Sequence, residues 1–382
     1  MKVKIQAVTI IFFILFGMGA GIGPLKPAGG NLEAQSLNIS QIDSSALLLS
    51  QEIDLYLSVN SADGEPVAGL QKDNFKVFES ADGQKYSAVP AIESLAEKPN
   101  VAQGIHIMLL IDNSGSMYDT LSGAPTENPD EMRITHAKRA IRNFINRSFN
   151  PRDVVSLASF NTNMTLHSEA LKDPSALEGL LESISRPEDK QAYTELYHSL
   201  DDSVKEMAGY RGRKVVVVLS DGENYPYYEH AGAAHPQYGT DLMEPDEVVR
   251  SYQLEGITLY AIHFGIERDK NLGNMALETG GNIYDARNQE ELANVYQDIK
   301  RKIENEYRLT YQASMIPADR KYVKVEVQRG SLQSEAERYY YAGTLFGIPV
   351  QPYPYLILLL LAAAILAWLL LLVLRYRKLQ KN

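Results

Sequence analysis

The sequence of 382 residues contains no cysteine, and its acidic residues outnumber its basic ones. Without cysteine the chain has no disulfide framework, no thiolate zinc site, no iron–sulfur cluster and no cysteine nucleophile. Lys and Arg together number 37 and Asp and Glu 48, which gives a formal net charge of −11. A duplex nucleic acid requires a basic face, so this charge balance argues against a nucleic-acid partner.

Recognisable catalytic motifs are also missing. The sequence has no D-x-D-x-T aspartyl-phosphate motif, no P-loop and no G-x-S-x-G nucleophile elbow. We therefore predict that the protein is not an enzyme. A hydrolase that uses Mg²⁺ beside Asp and Ser side chains is the competing hypothesis, and a phosphatase assay with Mg²⁺ would test it.

Both ends of the chain carry apolar segments. A short basic start precedes the apolar run Ile5–Ile22, which predicts a secretory signal peptide within residues 1–35, or an uncleaved N-terminal anchor. Near the other end, Tyr355–Leu374 carries no charge and has the length of about 20 residues that a membrane-spanning helix needs. Basic residues follow at once, so we expect residues 375–382 to form a cytoplasmic tail. The bulk of the chain is then extracytoplasmic, either periplasmic or extracellular.

Two flanking regions have the period-two pattern of half-buried strands. The first is residues 40–100, and the second is residues 305–345. The alternating runs are Asp54–Val59 and Asn74–Glu79 in the first, and Tyr307–Tyr311 and Tyr322–Val327 in the second. The second region is too short to form a domain alone, so we predict one β-sandwich split between the two flanks.

Residues 103–304 have a different pattern, in which apolar strands alternate with amphipathic helices. The predicted strands are Ile105–Ile111, Val154–Phe160, Val215–Leu219 and Ile257–Phe264. The predicted helices are Glu131–Phe149, Ser175–Ser185, Glu195–Ala208, Asp246–Leu254 and Glu290–Lys302. Strands that are apolar throughout are covered on both faces, so this α/β region is predicted to form a doubly wound, mainly parallel sheet inserted in the split sandwich.

Oxygen-bearing side chains follow the first of these buried strands. Asp112, Ser114 and Ser116 occupy alternating positions directly after it, where ligands collect in doubly wound sheets. Thr194 opens a helix and Asp221 ends another strand. Carboxylates and hydroxyls suit a hard cation such as Mg²⁺, which keeps some of its waters. The alternative is a polar turn that only caps the next segment.

This set of five residues, in this order between these strands, resembles the metal-ion-dependent adhesion site of a von Willebrand factor type A (VWA) domain. The flanks resemble bacterial, membrane-anchored members, with residues 69–75 as one similar turn. The resemblance implies that Ser114, Ser116 and Thr194 give hydroxyl oxygens to Mg²⁺ or Mn²⁺, whereas Asp112 and Asp221 act largely through bound waters. It also implies one open coordination position, which accepts an acidic side chain of a partner protein.

The chain departs from many relatives just before the threonine, where it has Ala192 and Tyr193 instead of glycines. This departure either narrows the mouth of the site or lets Tyr193 contact the partner, and Tyr193 is therefore a candidate partner-binding residue. Glu223 and Asn224 are expected at the outer edge of the site, also as partner-binding residues. They open a long, aromatic-rich segment, residues 223–243. Its histidines at positions 230 and 235 are expected to face solvent, and a second metal site on these two histidines is the alternative.

The predicted function is therefore a membrane-anchored adhesion module that captures an exposed Asp or Glu of a partner protein or peptide through its metal ion. The alternative is an inner-membrane assembly subunit of an envelope complex that works with an AAA-type ATPase. The short tail after the span weakens that alternative. Co-purification of an ATPase from membranes would support the alternative alone.

Overall fold

The computed structural model describes residues 36–266, 268–314, 318–330, 332–341, 344–345, 348–349, 360–366 and 368–369. The predicted signal peptide or anchor at 1–35 and the predicted tail at 375–382 lie outside these residues, as does about half of the predicted span. The described part of that span, residues 360–366 and 368–369, is helical. Among the residues described, no helix has the length and apolar character required to cross a membrane.

The strands lie in three main sheets. In chain order they are β1 (Ser36–Asp43), β2 (Glu52–Asn60), β3 (Phe75–Ser80), β4 (Ser87–Ala88), β5 (Ala91–Glu97), β6 (His106–Asp112), β7 (Val154–Phe160), β8 (Met164–Leu171), β9 (Lys214–Ser220), β10 (Ile257–His263), β11 (Ile283–Asp285), β12 (Tyr307–Gln312), β13 (Arg320–Arg329), β14 (Leu332–Tyr341), β15 (Thr344–Leu345) and β16 (Ile348–Pro349).

Helices separate the strands of the middle region. The α-helices are α1 (Leu47–Ser50), α2 (Pro99–Gln103), α3 (Arg133–Ser148), α4 (Pro174–Ser183), α5 (Leu196–Met207), α6 (Tyr227–Ala231), α7 (Pro245–Leu254), α8 (Leu272–Glu278) and α9 (Gln289–Glu304).

The α/β region forms a six-stranded sheet in the order β11-β10-β9-β6-β7-β8. All its pairings are parallel except that of β7 with β8. Every residue of β6 and of β9 is buried because helices pack on both faces. Side chains from one face of β6 pack with α3 and α9, and those from the other face pack with α5, α7 and α8. The predicted α/β, mainly parallel sheet is confirmed.

Strands from the two flanks share two further sheets, in the orders β1-β2-β12-β5 and β14-β13-β3-β4. Strand β12, which follows the α/β region, pairs with β2 and β5, and β13 pairs with β3. Their inward residues form one core, in which Leu55, Val77, Leu309 and Val325 are buried. The segments before and after the α/β region therefore complete each other's sheets.

A buried ion pair joins these sheets to the α/β region at the start of β9. Arg213 donates from Nε and Nη2 to the two carboxylate oxygens of Glu306, at 2.8 and 2.9 Å. Both side chains are almost fully buried. Ser40 and Asn100 also donate to Glu306, at 2.6 and 2.9 Å. This junction fixes the amino end of β9, while the candidate site lies at its carboxyl end.

Candidate metal site

The loop after β6 folds back on itself immediately beyond the strand. Asp112 Oδ1 accepts a hydrogen bond from the Ser114 N–H at 2.8 Å, which turns the chain into a short 3-10 helix, Gly115–Tyr118. The Asn113 N–H donates to the carbonyl of Phe160, the last residue of β7, at 2.6 Å. The loop is thus held by its own aspartate and by the neighbouring strand.

Four of the five predicted metal ligands form one hydrogen-bonded set. The hydroxyl oxygens of Ser114 and Ser116 lie 3.2 Å apart, and the Ser116 hydroxyl donates to Asp221 Oδ1 at 2.9 Å. The Ser220 hydroxyl, from the end of β9, donates to Asp112 Oδ2 at 2.7 Å. These side chains meet because β6 and β9 are adjacent parallel strands, whose carboxyl ends share one edge of the sheet.

The fifth predicted ligand, Thr194, lies on a segment that packs against this loop. The Gly115 N–H donates to the carbonyl of Ala192 at 3.1 Å, two residues before the threonine. Thr194 itself is 7% exposed, and its backbone pairs with that of Tyr225. Within the described residues, its hydroxyl has no hydrogen-bond partner. The hydroxyl is therefore available to a ligand.

Burial perturbs both carboxylates of the set. Burial, and next the charge of Asp221, raise the pKa of Asp112 to about 7, although hydrogen bonds from Ser114 and Ser220 act in the opposite direction. Burial also raises the pKa of Asp221, against the lowering effect of Arg133 and Ser116. Two neighbouring buried carboxylates are unfavourable without compensating positive charge. A divalent cation would supply that charge.

The donor set fits a hard cation. It offers carboxylate and hydroxyl oxygens, which Mg²⁺ and Mn²⁺ prefer. In the part of the chain that the structure describes, no three His, Asp or Glu side chains form a cluster able to hold a metal ion. A metal at this position would therefore depend on the serine and threonine hydroxyls in addition to Asp112 and Asp221.

Arg133, the first residue of α3, also belongs to the site, and the sequence analysis missed it. Its Nη1 donates to Asp221 Oδ2 at 2.5 Å and to the carbonyl of Ser116 at 3.2 Å. Only 5% of its side chain is exposed. A signal was present in the sequence, because Arg133 lies in phase with the buried apolar face of α3 that includes Ala137 and Ala140.

Gly265 is a second residue that the sequence analysis missed. A Cβ at this position would lie 1.8 Å from the carbonyl oxygen of Asp221. The neighbouring Phe264 N–H donates to the carbonyl of Ser220 at 2.9 Å. The loop after β10 therefore packs its backbone directly against the end of β9, and only glycine permits this approach.

The three predicted partner-binding residues lie around the same loop but differ in environment. Tyr193 is half-buried and stacks on Tyr225, with ring centroids 6.1 Å apart. Glu223 is exposed. The amide oxygen of Asn224 accepts a hydrogen bond from the Leu196 N–H at 3.0 Å, so this side chain holds the first turn of α5.

The expectation that both histidines of segment 223–243 face solvent is wrong for one of them. His230 is exposed and stacks on Tyr225, with ring centroids 3.4 Å apart. His235 is only 3% exposed, and its Nε2 lies 2.8 Å from the carbonyl oxygen of Thr162. Its Nδ1 accepts backbone N–H groups of residues 237 and 238. The segment folds over the loop after β7, which buries His235.

Exposed apolar side chains border the site on two sides. Tyr225, which pairs with Thr194, is 49% exposed, and Tyr228, in the helix α6 that follows it, is 37% exposed. Ile266 is 63% exposed on the Asp221 side. A Cβ at Gly123 would contact both Ile266 and Arg133, so Ile266 lies beside that arginine. We refer to Tyr225, Tyr228 and Ile266 as the apolar rim.

Solved structures resemble the chain at low identity. An aerotolerance-related membrane protein from Bacteroides fragilis is 19% identical, with 52% of this chain and 98% of that one covered and a TM-score of 0.40. The PilB minor pilin from Streptococcus sanguinis, as a D319A mutant, is 14% identical, with 72% and 80% covered and a TM-score of 0.43. A von Willebrand factor type A protein from Catenulispora acidiphila is 10% identical, with 81% and 75% covered and a TM-score of 0.41.

No curated protein matches the sequence. The sequence model of the von Willebrand factor type A domain, in contrast, matches residues 106–298. The matched range begins with β6 and ends within α9, so it covers the α/β region and half of the chain. The chain therefore belongs to the von Willebrand factor type A domain family.

Proposed function

We propose that the protein is a binding module that captures an acidic side chain of a partner protein through Mg²⁺ or Mn²⁺. The observation that carries this proposal is the hydrogen-bonded set of Asp112, Ser114, Ser116 and Asp221 at the carboxyl edge of the sheet. Its two carboxylates are buried, and burial raises the pKa of each, even though Arg133 lies beside Asp221.

Each residue of the set would have a distinct task. Ser114, Ser116 and Thr194 would hold the ion through their hydroxyls, and Asp112 and Asp221 would balance its charge. Ser116 is exposed whereas Ser114 is buried, so the set opens to solvent on the Ser116 side. A bound divalent ion supplies the positive charge that attracts an incoming carboxylate.

The apolar rim would provide the surrounding contact surface. Protein interfaces combine apolar and aromatic contacts at their centre with polar groups at their edge. Tyr225 and Tyr228 on one side and Ile266 on the other suit this role, with Tyr193 stacked behind Tyr225. We expect the apolar rim to contact side chains that flank the captured Asp or Glu.

We also propose that a helix within 355–374 anchors the module to a membrane, with the α/β region and the sandwich on the outer side. Large apolar side chains in the described part of this segment are exposed, among them Leu360, Ile365 and Trp368. A bilayer would cover them. Protease accessibility of intact cells or spheroplasts, with an epitope tag at each end, would test this orientation.

Metal binding is testable on the full chain in mild detergent. We expect the melting temperature to rise with Mg²⁺ or Mn²⁺ and to fall again with EDTA. An ion at about 100 times its dissociation constant adds about 2.7 kcal/mol of stability, which is readily visible. Asp112→Ala should abolish this response, and Asp63→Ala, at an exposed turn, should retain it.

Two results would count against the proposal. The first is an absence of any response of the wild-type protein to millimolar Mg²⁺ or Mn²⁺. The second is an unchanged response in Asp112→Ala, since the ion would then bind elsewhere.

A further inference from the structure

The candidate metal site contains a positive charge of its own. The Arg133 guanidinium donates from Nη1 to Asp221 Oδ2 at 2.5 Å and to the Ser116 carbonyl at 3.2 Å. Only 5% of the Arg133 side chain and 1% of the Asp221 side chain are exposed. Water therefore screens this charge weakly, and its electrostatic effect on the site is large.

Arg133 is held by few contacts for a buried arginine. Nη1 makes the contacts within the site, whereas Nε is buried without a hydrogen-bond partner among the described residues. A guanidinium has five N–H donors, and leaving a buried one unpaired is unfavourable. A purely stabilising role therefore does not explain why an arginine is buried here, and its charge beside Asp221 requires another explanation.

A charge count suggests that explanation. With both Asp112 and Asp221 ionised, Arg133 leaves the metal-free site with one net negative charge instead of two. A divalent ion then brings the site to one net positive charge. Without Arg133 the same ion would leave the site neutral, with much less attraction for a further carboxylate.

We propose that Arg133 sets the balance between two affinities: that of the empty site for the metal ion, and that of the metal-loaded site for the partner's carboxylate. The arginine weakens metal binding by repulsion, and it keeps the metal-loaded site positive so that an acidic ligand binds. The guanidinium of Arg133 stays protonated in this buried position, so the site always carries its charge. This inference rests on the proposed function and assigns a specificity-determining role to a residue outside the ligand set.

The test compares charge-removing and charge-retaining variants of the full-length protein. Arg133→Gln removes the charge but retains a donor for Asp221, Arg133→Met removes both, and Arg133→Lys retains the charge. Arg139→Met is the matched control, since Arg139 lies on the same helix and pairs with Asp130 at the surface. Circular dichroism establishes which variants are folded. If Arg133→Met does not fold, Arg133→Gln alone decides the test.

The first measurement is Mn²⁺ affinity by calorimetry or by electron paramagnetic resonance of free Mn²⁺. We expect Arg133→Gln to bind Mn²⁺ at least about tenfold more tightly than the wild type, because a unit charge a few ångströms away is removed. Arg133→Lys and Arg139→Met should stay within about threefold of the wild type. Equal affinities of Arg133→Gln and the wild type would overturn the inference.

The second measurement uses acetate as a minimal acidic ligand of the Mn²⁺-loaded protein. Displacement of metal-bound water by acetate lowers the relaxation rate of water protons. We expect acetate to bind about tenfold more weakly to Arg133→Gln than to the wild type, and unchanged acetate binding would overturn the inference. If the wild type itself binds no Mn²⁺, the proposed function fails; if it binds Mn²⁺ and the variants behave alike, only the role of Arg133 fails.

Discussion

The two ends of strand β9 each carry a buried arginine–carboxylate pair, and the two pairs are built differently. At the amino end, Arg213 contacts Glu306 with two nitrogens, and Ser40 and Asn100 donate to the same carboxylate. The remaining nitrogen of Arg213, Nη1, donates to side-chain oxygens of Gln41 and Thr258. At the carboxyl end, Arg133 contacts Asp221 through one nitrogen and leaves Nε without a partner among the described residues.

This difference separates a structural pair from an exchangeable one. A buried ion pair whose donors and acceptors are all satisfied holds one arrangement, because any movement leaves several groups unpaired. The Arg133–Asp221 pair shares only one hydrogen bond, and its neighbour Asp112 is sensitive to protonation. Asp221 can therefore bind another ligand at a smaller cost in free energy. The amino end of β9 therefore fixes the α/β region on the sandwich, and the carboxyl end is suited to bind and release.

The largest expected effect comes from breaking the structural pair. Glu306→Ala leaves the Arg213 charge buried without a partner, and we expect it to lower the free energy of unfolding by about 3–5 kcal/mol. Urea unfolding of the metal-free protein measures this change. Adding Arg213→Met to Glu306→Ala should restore part of the stability, because the unpaired charge is removed.

Glu65→Ala serves as the control for this change. Glu65 pairs with Arg301 at 3.5 Å, and the two side chains are 69% and 52% exposed. Exposed pairs contribute less than about 1 kcal/mol. Equal effects of Glu306→Ala and Glu65→Ala would contradict the structural role assigned to the pair at the amino end of β9.

The next effect concerns the backbone at the carboxyl end. Gly265→Ala would place a methyl group 1.8 Å from the carbonyl oxygen of Asp221. Either the loop after β10 or the end of β9 must then move, and we expect a loss of about 3 kcal/mol together with a loss of Mn²⁺ affinity. Gly222→Ala is the matched control, because a Cβ there meets no atom within 4 Å. A stable Gly265→Ala variant with normal Mn²⁺ binding would contradict the packing described for this edge.

The strands of the α/β sheet show which parts of the fold the sequence could predict. The strands β6, β7 and β9 were predicted within one or two residues, because strands covered on both faces are apolar throughout. The antiparallel edge strand β8 was missed, since it is only partly buried and pairs with two register shifts. Apolar patterns along the chain indicate which residues are buried, and an edge strand buries few residues.

The same reasoning applies to the candidate site. Asp112, Ser114, Ser116, Thr194 and Asp221 were predicted to form one site, because ligands collect at the carboxyl ends of parallel strands and because the set resembles a family motif. The fold joins four of them, all but Thr194, in one hydrogen-bonded set. Arg133 and Gly265 were not predicted, because each acts on Asp221 from a distant point of the chain. The resemblance to a family motif identifies candidate ligands. The sequence pattern indicates that Arg133 is buried, but only the fold shows that Arg133 and Gly265 contact Asp221.

A smaller effect concerns Asp112, beside the carboxyl end of β9. We expect its buried charge to destabilise the folded protein when no metal is bound. Asp112 has an ordinary pKa near 3.8, and burial raises the pKa of the folded-state carboxyl to about 7. The folded state therefore binds more protons than the unfolded state in this range, and stability falls as the pH rises from 3.8 to about 7.

Asp112→Asn removes this pH-dependent loss. In EDTA above pH 7, we expect the variant to be more stable than the wild type by about 1–3 kcal/mol. The gain should shrink as the pH is lowered and disappear below the ordinary pKa of 3.8, where the wild-type carboxyl is protonated in both states. Urea unfolding at a series of pH values measures it, with Asp63→Asn as the exposed control. A difference in stability between Asp112→Asn and the wild type that does not grow as the pH rises over this range would contradict the assignment.

The smallest effect concerns His198, which is buried beside the site. Burial alone would lower the pKa of its imidazole, but a hydrogen bond and charge from Glu195, with a further contribution from Asp241, outweigh burial and raise it. His198 Nδ1 lies 2.9 Å from Glu195, the residue after Thr194, and Asp241 is 3.6 Å from Nε2. Because the folded-state pKa is raised, this pair stabilises the protein below pH 6.5 and loses that contribution as the pH rises through the folded-state pKa.

His198→Gln should therefore cost most at low pH. We expect it to lower the free energy of unfolding by about 1 kcal/mol at a pH near 6, with a difference that shrinks as the pH rises, whereas the exposed His230→Gln should change it by less than about 0.5 kcal/mol. A difference between His198→Gln and the wild type that grows with pH would contradict the assignment. The expected outcome would extend the comparison beyond β9: the junction pair keeps its contribution near neutral pH, whereas groups beside the site respond to protons as well as to metal.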